Sequence, residues 1–302
     1  MVWGTAALGH APESLLIPQF GLLIHQTRGK DMEKGHTGIV YIEYRDTLAL
    51  FDQAGPSDGI IRLGKATRMA FYLPNPVMQI ATRHFSFYRP YVLALLDYGS
   101  GNIRSVEKAL RKVDADVQRF SSADGLDTAS GIVLPGVGAF DDCLNAIEHR
   151  HLTTAVKEWI RAGRPFLGIC VGYQALFERS EEFNSCAAGL GIYRGPVVRF
   201  QPTATEPHLK IPQIGWNQVS ISQPNCPLFA GIPDQSYFYF VHSFFPRPED
   251  PSIVAGSTEY GVNFAAAICR DNVWATQFHP EKSQAVGLQL LRNFVEYAEA
   301  RR

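Results

Sequence analysis

Pro165–Gln174 reads PFLGICVGYQ. The apolar run Phe166 to Ile169 has the length and composition of a buried strand, and it ends at Cys170. Gly172 then opens a helical stretch. A strand that turns sharply into a helix projects one side chain from the turn, and small neighbours let the two segments pack closely. The helix N-terminus behind the turn offers free N–H groups and a positive dipole end. Both favour a thiolate and stabilise negative charge beside it. Cys170 is therefore a candidate nucleophile. On these residues alone, a buried core cysteine is the alternative.

Two further stretches bear on that choice. Gln277–Ser283 reads QFHPEKS. In an extended segment, residues two apart share a side, so His279 and Glu281 are expected to face together with Pro280 keeping the backbone extended. A carboxylate beside an imidazole fixes its tautomer and stabilises the imidazolium. Gly131–Phe140 reads GIVLPGVGAF. Ile132 to Leu134 suggest a strand, and Pro135-Gly136-Val137-Gly138 a tight turn after it. Glycines let a backbone aim N–H groups at a ligand, so this turn is read as half of an oxyanion hole, completed by the N–H of Val171. An ordinary strand-to-helix loop is the alternative.

Around these stretches the pattern alternates. Strands are expected at Tyr91–Leu96, Asp116–Phe120, Gly131–Leu134 and Phe166–Ile169, with helices at Asn102–Val113, Phe140–Ile147 and His151–Ala162. Such alternation implies a parallel sheet covered on both faces, with active residues at the carboxyl ends of its strands. After Gly189 the chain turns mostly to strands: Pro196–Phe200, Gln218–Ile221, Tyr237–Val241, Ile253–Ser257, Phe264–Cys269 and Val273–Gln277. It closes with a helix over Ser283–Ala300. Residues 1–90 lack clear periodicity. They are read as an N-terminal extension of unknown role, either largely disordered or upstream sequence translated from a mistaken start, with Met78 an alternative start. Residues 91–302 form the second domain.

The set PGVGAF, GICVGYQALF, GWN at Gly215–Asn217, FVHS at Phe240–Ser243 and FHPEKS resembles the class I glutamine amidotransferases. With YGSGN at Tyr98–Asn102, it is similar within that family to the glutaminase subunits of imidazole glycerol phosphate synthase, which act in histidine biosynthesis. The resemblance covers residues 92 to the C-terminus. It implies a flavodoxin-like α/β fold: a central, mostly parallel sheet, helices on both faces and a β-rich C-terminal part. It implies hydrolysis of L-glutamine to glutamate and ammonia by a Cys170, His279, Glu281 triad, with oxyanion donors at Val171 and near Val137. Gly138, Gln174, Glu182 and Ser243 are the implied glutamine-binding positions. On residue type alone, Gln174 and Glu182 are equally solvated side chains.

The resemblance also implies a partner. Because no barrel-type synthase follows residue 302, a separate (βα)8 cyclase chain is expected to receive the ammonia, in a heterodimer. Asn102, Trp216, Tyr239 and Lys282 match positions near that interface; a half-buried core tryptophan is the alternative for Trp216. Gln213 stands where many relatives carry a histidine, and an effect on packing or the interface is expected there. Service to another ammonia-dependent synthase, of pyridoxal phosphate or anthranilate type, remains the alternative within the family. A different cysteine hydrolase and a non-catalytic interaction subunit are the alternatives outside it.

Composition agrees with this class. The 302 residues carry a formal net charge of −1, which gives no pull toward nucleic acid or acidic membranes. No apolar run reaches the length of a membrane span. The five cysteines (Cys143, Cys170, Cys186, Cys226, Cys269) form no CxxC pair, so neither zinc nor a disulfide framework is expected. No metal or cofactor is expected, and a reducing cytoplasm suits a catalytic thiolate.

Overall fold

The computed structural model describes residues 92–301 except 100, 183, 184 and 205, and, ahead of them, the backbone of five strands between residues 13 and 73. The chain divides into two compact units, 1–86 and 87–302. In the first, β1 (Glu13–Ile17), β2 (Leu22–Thr27), β3 (Gly38–Tyr44), β4 (Thr47–Leu48) and β5 (Met69–Leu73) make an antiparallel sheet. β3 pairs with β2, β4 and β5. An extension without regular structure does not describe these strands. Runs such as GIVYIEY in β3 are rich in β-branched and aromatic residues, a composition that suits a pleated surface even where strict alternation is missing. The rest of that stretch, Met78 included, lies outside the described residues.

The second unit is built on one nine-stranded sheet. Its first half comprises β6 (Leu93–Leu96), β7 (Val117–Phe120), β8 (Gly131–Gly136) and β9 (Phe166–Cys170). All of these pair in parallel, in the order β9-β8-β6-β7. Every residue of β6, β8 and β9 is buried, as in a sheet covered on both faces. The cover comes from helices α1 (Ile103–Lys112), α2 (Phe140–His149), α3 (Leu152–Arg161) and, at the C-terminus, α5 (Gln284–Ala300). In α1 the buried side chains are Ile103, Val106, Ala109 and Leu110, the stripe expected from their spacing. A one-turn helix, α4 (Val171–Gln174), follows β9 directly.

The remaining elements are β10 (Arg179–Ser180), β11 (Pro196–Arg199), β12 (Gln213–Ile221), β13 (Ser236–His242), β14 (Phe244–Pro246), β15 (Val254–Glu259), β16 (Asn263–Arg270) and β17 (Val273–Thr276). β10, β11 and β14 form a small sheet of their own. The others continue the large sheet as β17-β16-β15-β12-β13, all antiparallel. Most of the β-rich C-terminal part is thus the second half of the same sheet.

The hinge between the halves is β17. It lies antiparallel to β16 but parallel to β9, with Thr276 opposite Ile169. This register decides the site, because it brings Gln277 level with Cys170. On the other side of β9, Gly136 stands opposite Cys170. Two of the boundaries that differ from the sequence reading bear on the site. β8 runs through Pro135 and Gly136, so the turn starts at Val137. β12 starts at Gln213, which places the Gly-Trp-Asn segment inside a strand.

Candidate active site

Cys170 is the elbow. Its backbone has φ 55 and ψ −109, a left-handed conformation that strains a non-glycine residue by about 1–3 kcal/mol. The strain is held by packing, and Gly172 makes that packing possible. A Cβ there would lie 2.0 Å from Leu134 O, so α4 rests backbone to backbone on β8. The Cys170 side chain is buried, as are Val171, Tyr173 and Gln174.

His279 and Glu281 do meet. His279 Nδ1 is 2.8 Å from Glu281 Oε1, and both side chains are almost wholly withdrawn from solvent. The backbone that joins them is a 3-10 turn over Pro280–Lys282 rather than an extended segment. The fixed φ of Pro280 suits the first position of such a turn as well as it suits a strand. The turn is tied to β13 by both main-chain groups of Tyr239. Its C=O accepts from His279 N–H at 2.9 Å, and its N–H donates to Ser283 Oγ at 3.0 Å. The Ser283 hydroxyl in turn donates to His279 O at 2.7 Å. Asn102 Nδ2 donates to Glu281 Oε1 at 3.3 Å, which puts Asn102 behind the acid.

The other imidazole nitrogen, Nε2, is buried without a partner at hydrogen-bond geometry. Burial opposes the charged ring, yet the negative charge of Cys170 and its contact with the ring, followed by Glu281, outweigh that and push His279 up to about 10. The charged imidazolium is the state this arrangement favours for His279.

The positions expected to bind glutamine fall into two groups. Gly138 ends the turn after β8, with φ 90 and nothing within 4 Å of where its Cβ would be. Beside it, Glu182 Oε2 accepts from Phe140 N–H, at the first turn of α2, at 2.7 Å. Burial raises the Glu182 carboxyl; that N–H opposes the rise, and Asp141 and Asp142 add to it. On the other side, buried Gln174 donates to Phe244 O at 2.9 Å and to Gln277 Oε1 at 3.2 Å. Neighbouring Ser243 is half-buried, and its carbonyl accepts from Phe200 N–H at 3.0 Å. Val137 follows β8 where Gly136 lies opposite Cys170, so Val137 and Val171 leave adjacent strand ends.

Trp216, Tyr239 and Lys282 also come together. Trp216 is 45% exposed and meets the Tyr239 ring edge-on at 6.0 Å, and Lys282 Nζ lies 5.6 Å from that ring. Exposed Ile214 and Tyr237 extend the patch along β12 and β13. A core role for Trp216 is overturned by this exposure. Gln213, by contrast, is buried opposite His242 in the ladder, and its Oε1 has no partner.

Sequence reasoning passed over four residues. Gln277 Nε2 lies 3.7 Å from Cys170 Sγ. Ser283 locks the His279 turn, and Tyr98 OH donates to Pro135 O at 2.9 Å, steadying the end of β8. His242 is buried with Nδ1 2.8 Å from Phe244 O. All four stood inside quoted motifs, but no motif says which neighbour a polar side chain will find. Among the described residues, no group of three His, Cys, Asp or Glu is placed to hold a metal, and no helix is long and apolar enough to cross a membrane.

Comparison with known proteins gives the family. The family model for class-I glutamine amidotransferases matches residues 94–297. The imidazole glycerol phosphate synthase subunit HisH of a Synechococcus species is 49% identical over 210 residues, which span 69% of this chain and 95% of that protein. The subunit of the same name from Methylococcus capsulatus is 48% identical over 211 residues, 68% of this chain and 96% of its own. Among solved structures, PurLQS from Thermotoga maritima superposes with a TM-score of 0.55 at 18% identity, over 68% of this chain and 98% of that one, a likeness of fold. A cysteine on a strained elbow, a buried histidine–carboxylate pair and this match over residues 94–297 lead to one conclusion: the chain belongs to the class-I glutamine amidotransferase family.

Proposed function

We propose that this chain is the glutaminase subunit of imidazole glycerol phosphate synthase, in histidine biosynthesis, and that Cys170, His279 and Glu281 carry its chemistry. The observation that carries the reading is the buried 2.8 Å contact between His279 and Glu281, with a raised imidazole turned toward Cys170 on its elbow. The Cys170 thiolate attacks the side-chain amide carbon of glutamine. The oxyanion forms between the N–H groups of Val171 and Val137. His279 gives its proton to the departing ammonia, and a thioester remains. Acylation then removes the thiolate charge that had raised the imidazole. Burial now favours the neutral ring, so His279 becomes a base for the attacking water. Glutamate leaves and the thiolate–imidazolium pair is restored. Glu281 keeps Nδ1 occupied throughout, leaving Nε2 for both transfers.

Gly138, Gln174, Glu182 and Ser243 are the residues we assign to glutamine. The half-buried Glu182 carboxylate suits the substrate ammonium. The ammonia passes to a separate (βα)8 cyclase in a heterodimer. That partner docks on the face of Trp216, Tyr239 and Lys282, where an exposed aromatic anchor is the residue type that dominates interfaces. Tyr239 is also the residue whose main chain holds the His279 turn, so docking acts on the triad through one strand. The test is glutamate release from glutamine by the chain alone, with the cyclase, and with the cyclase and its nucleotide substrate. A large rise that needs both additions is expected. Full activity in the isolated chain would sink the coupled mechanism, and no response to the cyclase would point to a different synthase.

A further inference from the structure

The reaction as described leaves one neighbour of the Cys170 sulfur without a role. Gln277 Nε2 lies 3.7 Å from Sγ, and Gln277 is wholly buried. It ends a chain of amide contacts: Gln174 Nε2 is 2.9 Å from Phe244 O and 3.2 Å from Gln277 Oε1. The direction of this chain follows from chemistry. A main-chain carbonyl only accepts, so the Gln174 atom facing Phe244 O must be its amide nitrogen. That nitrogen only donates, so it must meet the Gln277 oxygen. The Gln277 nitrogen is then the atom left to face the sulfur. His242 Nδ1, 2.8 Å from the same Phe244 oxygen, supplies that oxygen's second donor. Reversing Gln174 would set two acceptors against each other, and reversing Gln277 two donors, in a dry site, at the cost of unmet buried groups.

We propose that Gln277 is the positioning residue of the nucleophile: its amide donates to the Cys170 sulfur, steadies the thiolate, and links it through Gln174 to the place where the substrate binds. A thiol is a weak acceptor and a thiolate a strong one, so the contact selects the charged form. A glutamine that engages Gln174 changes the partner that orients Gln277, which ties substrate binding to the state of the nucleophile. This last link rests on the glutaminase reading above.

The test is the pH dependence of Cys170 alkylation by iodoacetamide in the full chain without glutamine, followed on the Cys170 peptide by mass spectrometry. The titrating groups around the sulfur are His279, with Glu281 behind it, and on the other side Tyr98 and Cys143. Gln277→Met keeps the length and removes the donor. Its alkylation midpoint is expected to rise by about one pH unit. In the complex with the cyclase its kcat is expected to fall about tenfold, with KM within about twofold, as for an interaction that acts on the chemical step. An unchanged alkylation profile in folded Gln277→Met overturns the proposal. If that variant does not fold, Gln174→Met decides by the same readout: it leaves Gln277 in place without its orienting donor, a rise in the midpoint supports the link and no change overturns it. Failure of the wild-type complex to release glutamate would refute the glutaminase reading and leave the alkylation result standing.

Discussion

Two glycine-bearing turns flank the Cys170 sulfur, and they are built in opposite ways. At the elbow, a Cβ on Gly172 would strike Leu134 O at 2.0 Å, whereas at the oxyanion turn a Cβ on Gly138 would meet nothing within 4 Å. The elbow is therefore closed by packing, whereas the turn after β8 has open space beside its Gly138 end. In the proposed function, that open end is where docking of the cyclase completes the oxyanion site, while the nucleophile and base are already in place. That is what an enzyme needs if ammonia is to be made only when a partner can use it.

The largest effect tests the packed side. Cys170→Ala should lower glutamate release by at least about 10⁴-fold, as loss of a nucleophile does when the rest of the triad remains. Steady-state assay of the complex reads this, and residual turnover within tenfold of wild type would remove Cys170 from the chemistry. Gly172→Ala comes next. Its methyl group has no room against the Leu134 carbonyl, and overpacking against backbone should cost about 3 kcal/mol or more. Urea denaturation measures this, and an unchanged midpoint would show that α4 is free to lift from β8.

Gly138→Ala is the contrasting substitution. Space is available, and only the φ of 90 resists it, so stability should fall by no more than about 1–2 kcal/mol. The cyclase-stimulated rate should fall about tenfold or more, while alkylation of Cys170 stays as in wild type, because the donor turn is disturbed and the elbow is not. A variant that kept full stimulation would take the turn out of oxyanion binding. One that lost alkylation as well would show that the two turns are mechanically joined.

The same contrast explains what was legible in the sequence. The elbow, the β8 strand and the His–Glu pair were readable because each is local: an apolar run, a small residue, two neighbours in sequence that a short turn brings together as an extended segment would. The stripe of α1 was readable for the same reason. Gln277 was not, because its meaning comes from β17 lying parallel on β9, a pairing between residues more than a hundred positions apart. The bond from Asn102 to Glu281 was not legible either, because it too forms across the fold. Strands β1–β5 were missed because their runs do not alternate, and β12 was begun late because its glycine and polar residues hide a strand that pairs from Gln213 onward.

The smallest effect concerns His242, on the packed side and level with the triad. Burial pushes this imidazole down, the Phe244 carbonyl partly offsets that, the charge of His279 adds to it, and the result is about 3 against an ordinary 6.5. The sign follows from linkage. Below about 6.5 the unfolded chain takes up a proton at this ring, while the folded protein does not until about 3, so stability falls as pH drops through that window. The slope from this one group is at most about 1.4 kcal/mol per pH unit. His242→Gln keeps a side-chain donor near Phe244 O and removes the titration. Urea midpoints for both proteins should therefore converge between about pH 7 and pH 4.5, because only the wild type loses this contribution. A difference that stayed constant across that range would mean the folded protein protonates His242 as readily as the unfolded chain does. The ring would then have to be reached by water, and the donor that holds Phe244 O for Gln174 would belong to the loose side of the site.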